Sequence, residues 1–355
     1  MIQDFINKNK VFIIAEIGKN FIQSDDIQST SEYLENAKAL VKAVKEAGAD
    51  AVKFQTHNVE DEQMDIDIIS PHFVGSDRYS WVKRNEKATP IEFWQELKKY
   101  CDELGIVFFS TPMSRGAAEK LEKIGVDLWK VGSGDILDFV MLDYIAKTGK
   151  PIIISSGMST LEEVDKAVEF LKKRNNNIFL LHCVSKYPCP PEELNLNTIK
   201  MFEKRYNIPI GFSDHSIGYD SAIAAVNMGA KIIEKHFSLS RDLWGSDHKV
   251  SMLPEEMEIM VKKIRVGEKV DVSNYGTEEK KLYDDEAQFR PIFRKSLVAG
   301  RDLVAGTVIE PDMIYAMRPQ QYIEGLPSEE YEYVIGKKIK KDLKKFEPIS
   351  KGVLD

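Results

Sequence analysis

The sequence predicts an α/β chain, a (β/α)8 barrel followed by a small β-rich module, and three observations carry that expectation. Between residues 10 and 265, short β-branched runs alternate with longer amphipathic stretches, the pattern of repeated βα units around a parallel sheet. Eight such runs can be counted, the number that closes a barrel. The turn after the first run reads AEIGKN and lacks the GxGxxG of an open dinucleotide-binding sheet.

The runs occupy residues 11–17, 51–55, 106–110, 128–131, 151–155, 178–183, 208–212 and 231–237. Each precedes a helical stretch such as SEYLENAKALVKAVKEAG or TLEEVDKAVEFLKKRN. Residues 266–290 are charge-rich and lose strand patterning, so they read as an extended connection between a barrel of residues 1–265 and a second domain of residues 291–355. That domain reads as short strands broken by turns, RKSLVAGRDLVAGTVIEPDMIYAMRP, with a helix near SEEYEYVIG. At roughly 65 residues it is near the lower limit for a free-standing core, so it is expected to dock.

Hydrophobic residues make up 43% and charged residues 30%, the composition of a soluble globular protein. The net charge of -8 argues against a broad nucleic-acid surface. Cys101, Cys183 and Cys189 show no CxxC spacing and read as reduced thiols. The apolar run 11–15 is too short for a signal-peptide core or a membrane span. The chain is expected to be cytoplasmic, with neither a nucleic-acid nor a membrane partner.

Unusual polar residues collect at the C-terminal ends of the runs, where barrel enzymes build their sites. In order they are Glu16; Lys53 and Gln55; Ser110 and Thr111; Lys130, Ser133 and Asp135; Ser155 and Ser156; His182 and Ser185; Ser213, Asp214 and His215; and Glu234, Lys235 and His236. A lysine ending a buried strand needs an anionic partner, and Lys53 and Lys130 in one mouth imply a doubly charged anion. Gly132, Gly134 and Gly157, with the hydroxyls of Ser133, Ser155 and Ser213, suit phosphate oxygens. His215 and His236 end adjacent runs and suit a divalent ion such as Mn²⁺, Co²⁺ or Zn²⁺. Glu16 can face His236, and Asp247 lies on a loop able to fold over the mouth. His182 reads as structural.

The ordered set AEIGKN, AGADAVKFQTH, FFSTP, WKVGSGD, PIIISSGM, LLHCVSKYPCP, GFSDHS and IIEKHF resembles the sialic acid (nonulosonic acid) synthase family, and the last 65 or so residues resemble its SAF, or antifreeze-like, domain. The resemblance implies a condensation of phosphoenolpyruvate with an N-acylated amino sugar. It assigns His215 and His236 to the metal, Mn²⁺ first with Co²⁺ or Mg²⁺ as alternatives. Lys53, Lys130, Ser133, Ser155, Ser185 and Ser213 fall on phosphoenolpyruvate positions. Glu16, Gln55, Asp135, Tyr187 and Asp247 fall on the sugar or the reacting centre, with Glu16 and Asp135 handling protons. Arg318 is expected to enter a partner subunit's site in a domain-swapped homodimer and meet the acyl group.

This sequence departs from the family pattern at Phe21 and Ile22, at Gln320 and Gln321 after Arg318, and in the longer polar segment SPHFVGSDRYSWVKRNEKATP. Those departures bear on which sugar is taken. The alternatives are a barrel synthase acting on a phosphorylated sugar, which calls for an extra basic site not visible as an arginine cluster at the strand ends; a class II aldolase; and a non-catalytic carbohydrate-binding barrel.

Overall fold

A computed structural model of the chain describes residues 2–8, 10–69 and 77–355. The strands are β1 (Phe12–Gly18), β2 (Ala51–Thr56), β3 (Val107–Pro112), β4 (Trp129–Val131), β5 (Ile152–Ser155), β6 (Ile178–Cys183), β7 (Ile210–Asp214) and β8 (Ile232–His236). They form one parallel sheet in the order β3-β2-β1-β8-β7-β6-β5-β4, and β3 and β4 lie side by side where the barrel closes.

Period-two alternation sorts the side chains. Phe12 and Ile14 of β1, Ala51 of β2, Ile153 of β5, Leu181 of β6 and Ile232 of β8 fill the barrel interior, and the helix Ile2–Asn7 closes its floor through Ile2 and Phe5. Continuing the same parity, Glu16, Lys53, Lys130, Ser155, Glu234 and His236 lie in the layer above that apolar plug, and all are buried. The intervening residues face the helices. Lys235 is the informative one: its ammonium binds Asp214 at 2.7 Å and the carbonyl of Ser216 at 2.7 Å, so it belongs to the wall and not to the mouth.

The segment after the barrel is not a free spacer. Residues 267–283 have neither helix nor strand, and short helices at Asp284–Ala287 and Arg290–Phe293 follow. Glu286 is fully buried and accepts backbone N–H bonds from Met158 at 3.0 Å and Ser185 at 2.7 Å, which pins the segment to the loops after β5 and β6. The small domain contains the antiparallel pair β9 (Ser296–Ala299) and β10 (Ile314–Met317), with further isolated bridges. The expected helix near SEEYEYVIG is a 3-10 turn, Ser328–Glu330, running into the short helix Tyr331–Val334. The domain docks as its size requires: Lys295 binds Asp138 at 2.7 Å and the carbonyl of Met113 at 2.6 Å, and Tyr331 donates to Asp143 at 2.9 Å. No described helix is long and apolar enough to cross a membrane.

Candidate active site

The C-terminal mouth opens into a cavity of about 570 Å³ whose lining includes Glu16, Gln55, Lys53, Lys130, Ser133, Asp135, Ser155, Ser185, Tyr187, Ser213, His215, His236, Asp247 and Arg318, whereas Ser110, Ser156, His182, Asp214 and Lys235, also at strand ends, do not line it. A cavity of this size holds two small metabolites.

At its floor lies a carboxylate–lysine lattice. Register pairs Glu16 with Lys53 on one side and His236 on the other. Lys53 Nζ is 2.5 Å from Glu16 Oε2 and 3.2 Å from Thr111 Oγ1. Both Lys53 and Lys130 lie 3.8 Å from Glu234 Oε1, and Lys130 also donates to Ser155 Oγ at 2.7 Å. The two lysines therefore have internal counter-ions, Glu16 and Glu234, which revises the inference that they must await an external anion. Burial raises the Glu16 carboxyl above its ordinary value despite Lys53. Glu234 goes the other way: burial is outweighed by Lys130 and Lys53, and it stays ionised. Gln55 donates to Glu16 at 2.9 Å, and Ser213 donates to Glu234 at 3.1 Å.

Beside the lattice, Ser133 and Ser185 converge on Gly157. A Cβ at that position would stand 2.6 Å and 2.2 Å from their hydroxyl oxygens, so only glycine leaves room for both. The result is a hydroxyl-lined notch next to two ammonium groups.

His215 and His236 face each other with ring centroids 5.5 Å apart, and the Tyr187 ring covers His215 at 4.0 Å. His215 Nδ1 meets the Val184 carbonyl at 2.9 Å, which fixes the tautomer and turns Nε2 outward. His236 Nδ1 is buried without a hydrogen-bond partner and stands 4.0 Å from Asp247. Burial pushes the His236 imidazole down to about 4, so it is neutral near pH 7, the form that keeps a lone pair. Burial would lower the His215 imidazole as well, but Cys183 and the Val184 carbonyl hold it above its ordinary value, so a borderline divalent ion would meet one neutral imidazole and one that gives up a proton on binding. Among the described residues, no third His, Cys, Asp or Glu joins them in a cluster. His182, by contrast, bonds the Leu194 carbonyl at 2.6 Å between Phe202 and Phe212 and is structural.

Four expectations change. Asp135 lines the cavity with its carboxylate ion-paired to Arg318 and, at 2.9 Å, to Lys295. Burial alone would raise its carboxyl, but these cations hold it below its ordinary value, so it is no proton donor. Arg318 sits in the mouth of its own chain's barrel, because β10 runs on into a parallel bridge with Gln63 and the Arg318 N–H bonds the Glu62 carbonyl at 3.0 Å. Phe21 is fully buried among Tyr33, Phe54, Phe93 and Trp94, while its neighbours Asn20 and Ile22 line the cavity. Of the long polar segment, residues 70–76 lie outside the described residues, while Arg78–Ala88 is a helix that brings Arg78, Trp81 and Asn85 to the cavity.

Sequence reasoning gave Glu234 no role, although its parity with His236 in a buried strand was the available signal. Lys19 and His57 line the same cavity from loops and Arg78 from the first turn of its helix, outside the strands whose period marks the rest.

The NeuB family profile matches residues 40–274 and the SAF domain profile residues 294–354. The chain is 34% identical to the N-acetylneuraminate-9-phosphate synthase of Homo sapiens, over 97% of this chain and 92% of that one. It is 35% identical to the N,N'-diacetyllegionaminic acid synthase of Legionella pneumophila, over 94% and 91%. Among solved structures, the spore coat polysaccharide biosynthesis protein spsE of Bacillus subtilis superposes with a TM-score of 0.77 at 31% identity, covering 97% of this chain and 95% of that one. The chain therefore belongs to the NeuB family of sialic acid-type synthases and carries a C-terminal SAF domain.

Proposed function

We propose that the protein condenses phosphoenolpyruvate with an N-acylated amino sugar and water to give a nine-carbon keto acid and inorganic phosphate. The observation that carries this reading is the adjacency of two half-sites on one barrel mouth: the two-lysine, hydroxyl-lined notch and the facing imidazole pair. Lys53, Lys130, Ser133, Ser155, Ser185 and Ser213 receive the phosphate and carboxylate, with Glu234 held between the lysines so that they stay ordered and protonated. C3 of phosphoenolpyruvate bonds to the aldehyde carbon of the open-chain sugar, whose oxygen takes a proton to become a hydroxyl; water adds at C2 and gives up a proton, and the C2–O bond to phosphate then breaks, releasing inorganic phosphate and leaving a ketone at C2.

Glu16 sits between Lys53 and His236 with a raised carboxyl, placed to hold or release the proton that the new hydroxyl requires. His215 and His236 would hold a divalent metal, Mn²⁺ first with Co²⁺ or Mg²⁺ as alternatives, and such an ion, when bound, polarises a carbonyl oxygen as a Lewis acid. Asp247, 4.0 Å from His236, and Tyr187, over His215, orient the aldehyde end. Arg318 faces the acyl group. The test is phosphate release from phosphoenolpyruvate with Mn²⁺ and a panel of N-acylated amino sugars, with product masses measured. Release that depends on the sugar, and that is lost in His236→Ala, is expected; no release with any of them refutes the reading.

A further inference from the structure

The hydroxyl-lined notch is formed by the turns that follow β4, β5 and β6, at Ser133, Gly157 and Ser185. All of them rest on residues 283–294, where the barrel passes into the small domain. Phe293 packs on the first turn so closely that a Cβ at Gly134 would stand 2.9 Å from its ring. Glu286 joins the other two: its Oε1 accepts from the Met158 N–H at 3.0 Å and from the Ser185 N–H at 2.7 Å. The β5–β6 register ends at Ser155 and Leu181. Past that point the spacing of the two turns is set by Ser156 Oγ, bonded by the Cys183 N–H at 3.2 Å, and by Glu286.

Glu286 is fully buried and does not itself line the cavity. Among the described residues its carboxylate bonds only backbone N–H groups, the remaining one being that of Tyr283 at 3.3 Å, and no lysine or arginine lies in salt-bridge range. A carboxylate taken out of water without a cation beside it is costly, and N–H donors aimed at it offset that cost. Met158 is clasped at both ends, its N–H by Glu286 and its carbonyl by Arg294 at 3.0 Å and Arg290 at 3.5 Å. Both guanidinium groups are anchored on Glu163, at 3.0 Å and 2.5 Å. The clasp acts on a residue that needs one, because the Met158 φ of 51° lies in the left-handed region, which a residue with a side chain occupies at a cost.

We propose that Glu286 is a positioning residue for the condensation: by fixing the gap between the Gly157 and Ser185 turns it sets the grip on phosphoenolpyruvate without touching the substrate. The inference rests on the condensation reading above. Hydroxyl donors hold an anion only within about 2.5–3.0 Å, so a notch widened by about 1 Å loses most of its hold. Strand pairing alone does not supply that precision, because the hydroxyls and the glycine lie beyond the last β5–β6 register pair.

The full-length parent, Glu286→Ala and Glu286→Gln would be compared with Mn²⁺ present, by calorimetric titration with phosphoenolpyruvate and by steady-state kinetics on the N-acylated amino sugar that the parent turns over fastest. Glu286→Ala should raise both the Kd and the KM for phosphoenolpyruvate by about tenfold or more and leave the sugar's KM within about twofold. Glu286→Gln, whose amide oxygen can still accept from both N–H groups, should recover most of the loss. A carboxylate that served folding alone would change the amount of active enzyme, and so kcat, with both KM values unmoved. Should the alanine variant not fold, Glu286→Asp, one methylene short of reaching both turns, carries the same expectation. Turnover by the parent, with phosphoenolpyruvate constants that the variants leave within about twofold or with a sugar KM that rises equally, overturns the positioning role and leaves the condensation reading standing. A parent that neither binds phosphoenolpyruvate nor forms product overturns both.

Discussion

Glu234→Gln tests the lattice that organises the site. The substitution keeps the shape, and the amide oxygen can still accept from Ser213, but it removes the charge lying 3.8 Å from both Lys53 and Lys130. Lys53 retains Glu16 at 2.5 Å, whereas Lys130 keeps Ser155 at 2.7 Å and the Val131 carbonyl at 3.0 Å, with no other carboxylate in range among the described residues. Removing one member of a buried pair costs about 3–5 kcal/mol, and the two remaining hydrogen bonds place this case at the lower end, about 3 kcal/mol. That is a large share of the roughly 5–15 kcal/mol that holds a domain folded.

The sign reverses for the ligand. With one carboxylate fewer beside the notch, phosphoenolpyruvate should bind about tenfold more tightly to the variant. Burial already lowers Lys130, and loss of Glu234 lowers it further. The stability deficit should therefore shrink as pH rises toward the ordinary lysine range, because the variant's folded Lys130 gives up its proton before the unfolded chain's does. Urea unfolding with and without phosphoenolpyruvate, plus calorimetric titration, reads all three effects. An unfolding free energy within about 0.5 kcal/mol of the parent, or weaker phosphoenolpyruvate binding, refutes the reasoning.

Gly157→Ala should barely change stability, because the two serine hydroxyls can rotate away from the new methyl, yet each contact so lost should raise the KM for phosphoenolpyruvate by about tenfold; an unchanged KM would show that the notch is not the phosphate site. Lys235→Met leaves Asp214 buried and unpaired, so it should destabilise by about 3 kcal/mol with little effect on that KM, in contrast to Lys53 and Lys130, and steady-state kinetics beside urea melts would expose any error in the parity argument. His57 is held down to about 4 by burial against an ordinary 6.5, so between those values the unfolded chain takes up a proton that the folded chain refuses, and stability should fall by about 3 kcal/mol as pH drops through that window. The gap between parent and His57→Gln should narrow over the same range. A gap that stays constant in pH-dependent unfolding would show that His57 is not neutral in the folded chain.

The legible parts of this protein were those set by repetition. Eight β-branched runs with amphipathic spacers specify a barrel because each inward side chain must be apolar below the mouth and each helix must bury one stripe. Period two then places Glu16, Lys53, Lys130, Ser155 and His236 in a single layer, so most of the site followed from strand parity and strand ends. The motif series carried the family.

Tertiary structure decided what each charge is for. Lys53 and Lys130 look alike in sequence to Lys235, yet only the direction of the side chain separates two mouth lysines from a wall ion pair. Asp135 ends a strand as a catalytic carboxylate would, but Arg318 and Lys295, more than 150 residues further on, claim it. Phe21 follows a strand end at the barrel mouth, yet four aromatic neighbours draw it into the core. Lys19 and His57 come from loops and Arg78 from a helix outside the βα repeat, none of them marked by a strand period, and they line one cavity only when the chain closes. A carboxylate or an ammonium carries its charge wherever it lies, but its counter-ion is chosen by distance in space, and that is what sequence order does not record.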